Sequence, residues 1–237
     1  MLLEELLKVR NLHVGFRIYD TYFDAVDDVS FSLKKNEILA IVGESGCGKS
    51  TLATSIIGLH HEQNVRVKGD ILFQNRNILN LSEEEINKIR GAEISMIFQD
   101  PLSALNPLMR VGDQIEEALK YHTDLTKDER EERVMELIKQ VGISKPEQVA
   151  RQFPHQLSGG MRQRIMIAIA ISCKPQIIIA DEPTTALDVT IQAQILDLLK
   201  ELQEETEAGI ILITHDLGVV AEVADRVLVM YAGELIE

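Results

Sequence analysis

The stretch ILAIVGESGCGKS at 38–50 decides the fold of this 237-residue chain. The run from Ile38 to Val42 is continuously apolar, which is typical of a strand buried on both faces of a parallel sheet. It leads into a glycine-rich turn of the pattern GxxxxGK[ST], and a helical pattern follows from Lys49 to Leu59. A strand, a tight turn and a helix in this order predict a loop that binds phosphate groups.

Each part of this loop has a predicted role toward a nucleoside triphosphate. The glycines let backbone N–H groups point inward at phosphate oxygens, and the helix N-terminus adds partial positive charge. We expect Lys49 to reach the β- and γ-phosphates and the Ser50 hydroxyl to bind Mg²⁺. We interpret Cys47 as a small residue at a variable position rather than a redox site. The predicted nucleotide-binding residues here are Gly43, Glu44, Ser45, Gly46, Cys47, Gly48, Lys49, Ser50 and Thr51.

Other strand patterns surround the loop. The apolar segments IIIA at 177–180 and IILIT at 210–214 predict similar buried strands, with a further strand from Arg226 to Met230 behind them. Val29, Phe31 and Leu33 alternate with polar residues, as in a half-buried strand. Helical patterns separate the buried strands, so we predict an α/β core with parallel strands.

The middle of the chain is different, because no buried-strand run occurs from Val111 to Gln152. Helical patterns cover Val111 to Tyr121 and Thr126 to Val141, and the second opens with a capping box, Thr126-x-x-Glu129. We therefore predict a helical lobe at 102–172, inserted into an α/β core formed by 1–101 and 173–237.

Two acids follow the second buried strand as Asp181-Glu182, and Pro183 ends the strand. Successive side chains of a strand point to opposite sides. We therefore expect Asp181 to face a Mg²⁺ ion and Glu182 to face a water poised to attack the γ-phosphorus. Phosphoryl transfer requires mainly positioning and charge neutralisation, which these residues supply.

Composition excludes several other classes of protein. A net charge of −14 disfavours binding to nucleic acid or anionic lipid. The two cysteines, Cys47 and Cys173, form no CxxC motif, and a reducing, cytoplasmic setting fits. The sequence has no stretch of 18 apolar residues that could span a bilayer, and the start, MLLEELLKVR, does not resemble a secretory signal.

Five of the six histidines are interpreted as surface or packing residues: His13, His60, His61, His122 and His155.

The segment Leu157-Ser158-Gly159-Gly160-Met161, followed by Arg-Gln-Arg, resembles the signature motif of ABC-type ATPases. Other elements of that family occur in order over nearly the whole chain. Gln99 resembles the Q-loop glutamine, Ala186-Leu187-Asp188 the D-loop, and His215 the switch histidine. Phe16 stands where an aromatic residue stacks on adenine, although three aromatic residues nearby compete for that role: Tyr19, Tyr22 and Phe23.

The resemblance implies a P-loop NTPase core, with a mainly parallel sheet and an antiparallel β subdomain, plus the inserted helical lobe. It implies hydrolysis of ATP with Mg²⁺ held by Ser50, Asp181 and Gln99. Glu182, Gln99 and His215 would be the catalytic residues. Ser158, Gly159 and Gly160 would contact ATP bound to a second copy, with Asp188 at the interface between the two copies. Ser158 can also cap the apolar helix that follows it, and the two glycines allow close backbone approach.

Three stretches resemble the ATPases of dipeptide, oligopeptide and nickel importers: 98–107, 153–164 and 181–194. The expected partners are an identical or homologous ATPase, two permease subunits and an external solute-binding protein, at the cytoplasmic face of the membrane. Alternatives are another ABC transporter or a non-transport ABC-type ATPase. The latter usually carries a long coiled-coil insertion, and no heptad run occurs here. Relatives usually continue past 227–231, several with a cysteine cluster, so we expect a shortened relative or a truncated form without an iron–sulfur cluster.

Overall fold

A computed structural model describes residues 4–60, 64–185 and 187–237, so that His61, Ala186 and the first three residues of the N-terminal segment lie outside the described residues. The strands are β1 (Glu5–Ile18), β2 (Thr21–Lys34), β3 (Ile38–Val42), β4 (Val65–Phe73), β5 (Arg76–Asn77), β6 (Ile94–Ile97), β7 (Ile177–Asp181), β8 (Gly209–Thr214), β9 (Arg226–Tyr231) and β10 (Glu234–Leu235). The α-helices are α1 (Lys49–Ile56), α2 (Glu83–Ile89), α3 (Pro101–Ala104), α4 (Val111–His122), α5 (Lys127–Gln140), α6 (Pro146–Ala150), α7 (Gly159–Ile171), α8 (Val189–Thr206) and α9 (Leu217–Val223).

The central sheet has the strand order β10-β9-β3-β8-β7-β6. Strands β9, β3, β8, β7 and β6 are parallel, and only the short β10 runs antiparallel to its neighbour. Every residue of β3, β7 and β8 is buried, as the continuous apolar runs predict. The prediction of a buried strand at 226–230 is wrong in its burial, because β9 lies near the edge of the sheet and only its Met230 is buried. The carboxyl ends of β3, β8, β7 and β6 therefore meet along one edge of the sheet.

A second, antiparallel sheet has the order β2-β1-β4-β5. The predicted fold class, a mainly parallel sheet with an antiparallel β part and helices, is thus confirmed. The register between β1 and β2 shifts at four points, and at two of them β2 has an extra residue, between Asp24 and Val29. Such bulges bend a strand and re-aim its side chains.

Alternating residues of the parallel strands supply two hydrophobic cores. Leu39 and Ile41 of β3 pack toward the antiparallel sheet and α1, together with Ile177 and Ile179 of β7. Ile178 faces the opposite side, where α4, α5, α7 and α8 cover the sheet. Because both faces are covered, the strand ends are the only parts of these strands that can offer polar groups to a ligand.

The segment between β6 and β7 is helical, as the sequence patterns predict. Thr126 caps α5 and its Oγ1 accepts a hydrogen bond from the Glu129 N–H, while the Glu129 carboxylate accepts one from the Thr126 N–H at 2.7 Å, which completes the predicted capping box. The hydrophobic core of these helices is continuous with that beneath β6 and β7. The division into a core at 1–101 and 173–237 and a lobe at 102–172 stays a prediction.

The predicted extent of the helix after the phosphate loop is wrong at its C-terminal end. It ends at Ile56 rather than Leu59, because Gly58 adopts a left-handed conformation, with φ at 66°. The N–H groups of Gly58 and Leu59 turn back to bond the carbonyls of Ser55 and Thr54 at 3.1 and 2.9 Å. This is the Schellman arrangement that terminates many helices.

None of the helices in the described parts of the chain is both long and apolar enough to cross a lipid bilayer.

We expect Ile41→Ala to lower the free energy of unfolding by about 2–5 kcal/mol, because Ile41 is fully buried between the two sheets and truncation leaves a cavity. Urea denaturation followed by circular dichroism measures the change. Leu108→Ala is the matched control, since Leu108 is 87% exposed. Equal losses in the two variants would contradict the proposed packing.

Candidate active site

The phosphate loop joins β3 to α1 through a backbone that only glycine adopts without strain. Gly46 and Gly48 have φ angles of 81° and 108°. A Cβ at Gly48 would collide with the Ala25 carbonyl, and one at Gly43 would collide with that of Met230. The loop is therefore held tightly from outside, and no described side chain caps α1. The free N–H groups of that helix end remain available to an anion.

Lys49 lies beneath this loop and is 5% exposed. Its Nζ donates hydrogen bonds to the carbonyl oxygens of Gly43 and Glu44, both at 2.8 Å, and lies 3.8 Å from the Cys47 sulfur. The ammonium is thus positioned inside the turn of the loop, where it can exchange these carbonyl contacts for phosphate oxygens. Cys47 is also buried, so packing against Lys49 explains its small side chain.

Asp181 ends β7 and has an unusual environment for a carboxylate. It is buried, and its Oδ1 has no hydrogen-bond partner within the described part of the chain. Burial raises the pKa of this carboxyl above its usual value, a hydrogen bond from Ser50 opposes the shift, the Glu182 charge adds to it, and Lys49 opposes it. An orphaned carboxylate oxygen beside the Ser50 hydroxyl fits the oxygen ligands that Mg²⁺ prefers.

Glu182 is the point where side chains from three strand ends converge. Its Oε2 accepts hydrogen bonds from Gln99 Nε2 at 3.1 Å and Thr185 Oγ1 at 2.8 Å. His215 Nδ1 lies 3.3 Å from its Oε1. Gln99 follows β6, Glu182 follows β7 and His215 follows β8, and these strands are adjacent in the sheet. The structure therefore brings together the three side chains that the sequence predicts to be catalytic.

The backbone of Glu182 shows how this carboxylate is aimed. Strand β7 ends at Asp181, and Glu182 itself has a left-handed φ of 46°. A turn of this kind, rather than simple alternation along the strand, sets the direction of the side chain. Sequence analysis missed Thr185 as a partner. The available signal was a hydroxyl three residues after the acid, within a turn that contains Pro183.

The signature segment forms the N-terminus of α7. Ser158 Oγ accepts a hydrogen bond from the Met161 N–H at 3.3 Å, as the capping prediction requires. Ser158 and Gly159 are exposed, whereas Leu157 is buried and anchors the turn in the helical segment. This helix end is thus presented at the surface, where a second molecule can reach it.

The other predicted binding residues occupy different surroundings. Asp188 is exposed and caps α8, where its Oδ1 accepts a hydrogen bond from the Ile191 N–H at 3.0 Å. Phe16 meets the His60 ring edge-on, with ring centroids 6.3 Å apart. Arg66 lies 4.6 Å from the centre of the Tyr22 ring. The role of Asp188 at a dimer interface and the choice of aromatic residue for adenine stay predictions.

Comparison with known proteins identifies relatives along almost the whole chain. The ABC transporter family matches residues 26–185. The oligopeptide transport ATP-binding protein OppD of Lactococcus lactis subsp. cremoris is 56% identical over 234 residues, covering 99% of this chain and 69% of that protein. The dipeptide transport ATP-binding protein DppD of Bacillus subtilis is 57% identical over 236 residues, covering 99% and 70%.

Solved structures share the fold. A dimeric ATP-binding cassette in a post-hydrolysis state, bound to ADP and Pi, superposes with a TM-score of 0.87 at 31% identity, covering 98% of this chain and 97% of that one. CbiO1 from Clostridium perfringens, part of an ABC transporter complex, has a TM-score of 0.83 at 32% identity, covering 99% and 88%. With this match in family, sequence and structure, the chain belongs to the ABC transporter family of ATP-binding proteins.

Proposed function

We propose that this chain is the ATP-binding and ATP-hydrolysing subunit of an importer for oligopeptides or dipeptides. The convergence of Gln99 and His215 on Glu182, beside a phosphate-binding loop, carries the assignment of hydrolysis. The peptide cargo rests on the relatives OppD and DppD, whose names describe oligopeptide and dipeptide transport. Those names favour peptides over nickel, the other cargo that the sequence allows.

Mg²⁺ would be held by Asp181 and the Ser50 hydroxyl, with Gln99 completing the set from the neighbouring strand. When bound, the ion neutralises charge on the transferred phosphoryl group. Lys49 and the N–H groups at the start of α1 hold the phosphates on the other side. The protein's contribution is thus positioning and preorganised positive charge.

Glu182 orients the attacking water and receives its proton. The hydrogen bonds from Thr185 and Gln99 hold the carboxylate in one orientation, so that it is preorganised before the nucleotide binds. His215 is 60% exposed and contacts the other carboxylate oxygen, so it can swing toward a γ-phosphate without crossing packed side chains. We assign it the role of sensing that phosphate.

The exposed tip of α7 implies that the complete site needs two ATPase chains. Ser158 and the two glycines present a second helix N-terminus that can bind an anion, but they belong to the helical segment between β6 and β7, whereas the phosphate loop follows β3. In a head-to-tail pair, the N-terminus of α7 in one chain would contact the triphosphate bound to the other chain. The dimeric cassette bound to ADP and Pi supports this arrangement by similarity.

Transport requires further chains. We propose two permease subunits and an external solute-binding protein as partners, with this chain bound peripherally at the cytoplasmic face of the membrane. The similarity to CbiO1, which is part of a transporter complex, supports the permease partners. The partner ATPase is either a second copy or a homologue.

Glu182→Gln should bind ATP normally but hydrolyse it at least ~100-fold more slowly, because the amide cannot accept a proton from water. ATP should then trap a dimer, seen by size-exclusion chromatography. Glu204→Gln, an exposed substitution on α8, is the control and should behave as wild type. Rapid ATP hydrolysis by the Glu182→Gln variant, with only monomer in the chromatogram, would contradict the role assigned to Glu182.

Lys49→Ala should lower the rate of ATP hydrolysis by about 10²–10³-fold, because it removes a preorganised charge worth about 3–4 kcal/mol at the transition state. Steady-state phosphate release measures the rate. Lys120→Ala removes an exposed lysine from α4 and should leave the rate unchanged. Similar rates for all three proteins would refute the role of Lys49.

Asp181→Asn should stabilise the nucleotide-free protein while weakening Mg²⁺-dependent ATP binding. The raised pKa means that folding takes up a proton, so this carboxyl costs stability as pH rises above its unfolded-state pKa. The stability gained by the variant should therefore grow as the pH rises above about 4, the ordinary pKa of an aspartate. Chemical denaturation at each pH measures it, with the exposed Asp197→Asn as control. A gain that does not depend on pH would contradict this assignment.

A further inference from the structure

A cluster of three potential metal ligands lies on the β1–β2 ribbon, on residues to which the proposed hydrolysis gives no role. His13, Asp24 and Asp27 each offer one ligand atom, and these atoms lie within 4.8 Å of one another. His13 Nδ1 is 2.8 Å from Asp27 Oδ1. The side chains are one-third to one-half exposed, so that an ion can enter from solvent and complete its shell with water.

The bulges in β2 create this cluster. His13 of β1 lies between the pairs Leu12↔Val29 and Val14↔Val26, so that one residue faces two, Asp27 and Asp28. A regular ladder would place only one side chain there. The extra residue turns the Asp27 carboxylate toward the imidazole.

Gly15 provides the space for the third ligand. It is two residues from His13 on β1, hence on the same face, and pairs directly with Asp24. A Cβ at this position would collide with Asp24 Oδ1. Because glycine has no side chain, the Asp24 carboxylate can lie against the β1 backbone and approach His13.

His13 Nδ1 and the Asp27 carboxylate already lie close enough to share one ion. Nδ1 is 2.8 Å from Asp27 Oδ1, and its contact with the Asp28 N–H is longer, at 3.3 Å. Both atoms carry lone pairs that a cation can accept once Nδ1 is not protonated.

We propose that His13, Asp24 and Asp27 form a binding site for a divalent transition-metal ion, of which Zn²⁺ is the best fit. One imidazole nitrogen and two carboxylate oxygens suit Zn²⁺ better than Mg²⁺ or Ca²⁺, which prefer all-oxygen sets. Two ligands each ~2.1 Å from zinc stand about 3–3.5 Å apart, so His13 and Asp27 need little movement. Arg66 lies 3.5 Å from Asp24 Oδ1 and competes with the ion for that carboxylate.

The site would act on the phosphate loop through the backbone. The Asp27 N–H donates to the Gly233 carbonyl at 2.8 Å, and the Gly233 N–H donates to the Cys47 carbonyl at 3.0 Å. The Ala25 carbonyl, between the two aspartates, lies against Gly48. An ion that links β1 to the bulge of β2 would therefore hold in place the part of β2 that packs against the phosphate loop.

The test is titration of the untagged, EDTA-treated protein with Zn²⁺ by calorimetry, together with thermal unfolding at each Zn²⁺ concentration. Wild type should bind Zn²⁺ here and gain Tm. His13→Ala and Asp27→Asn should weaken binding roughly 10–100-fold and lose the Tm gain. Gly15→Ala keeps every ligand atom but displaces Asp24, and should weaken binding to a smaller extent. Arg66→Gln should strengthen it.

The controls are His155→Ala and Asp20→Asn, which remove an exposed histidine and an exposed aspartate that are outside the cluster. Zn²⁺ bound elsewhere, for example through Cys47, contributes equally to every variant and cancels in the comparison. Binding that is unchanged in His13→Ala and Asp27→Asn, or reduced equally in the controls, overturns the proposal. ATP hydrolysis with Mg²⁺ is measured in parallel, so that failure of this site and failure of the proposed function can be told apart.

Discussion

Parallel pairing of β3, β8, β7 and β6 is the constraint on which the rest of the molecule depends. Because the four strands run the same way and are covered on both faces, their polar groups can reach a ligand only where the strands end. The phosphate loop follows one strand, and Gln99, Glu182 and His215 follow the other three. A sheet with one strand reversed would carry its acid or amide to the opposite edge, more than 15 Å away for a strand of about five residues.

The two acids at the end of β7 differ because their environments differ. Asp181 is buried, its Oδ1 has no hydrogen-bond partner in the described part of the chain and its pKa is raised, so a bound cation would stabilise its charged form. Glu182 is held by donors from Thr185 and Gln99, in a left-handed backbone conformation that costs about 1–3 kcal/mol. The surrounding contacts offset that cost, so the carboxylate is aimed before substrate arrives. In the proposed mechanism, Asp181 would bind the cation and Glu182 would accept a proton from water.

The features that could be predicted from the sequence are those set by interactions between residues close together in the chain. The buried strands β3, β7 and β8, the capping box at Thr126 and the cap at Ser158 follow from apolar runs and short-range hydrogen bonding, and the structure has them, whereas β9 is a strand but is mostly not buried. Convergence at Glu182 was predictable because parallel strands end at one edge. Two features could not be predicted in this way. The end of α1 at Ile56 depends on how a glycine terminates a helix. The cluster of His13, Asp24 and Asp27 depends on a two-residue shift in register between β1 and β2.

The contacts of Lys49 and Asp181 also explain why we expect nucleotide and metal ion to bind together. Lys49 is already satisfied by two loop carbonyls, so a phosphate group must replace hydrogen bonds that exist rather than add new ones. The net gain from that exchange is modest. Asp181, by contrast, has an oxygen without a hydrogen-bond partner among the described residues, and a divalent ion would offset that desolvation cost. Triphosphate bound without an ion would leave the buried carboxylate facing a polyanion. We therefore expect selectivity for the metal-bound nucleotide to depend on Asp181 more than on Lys49.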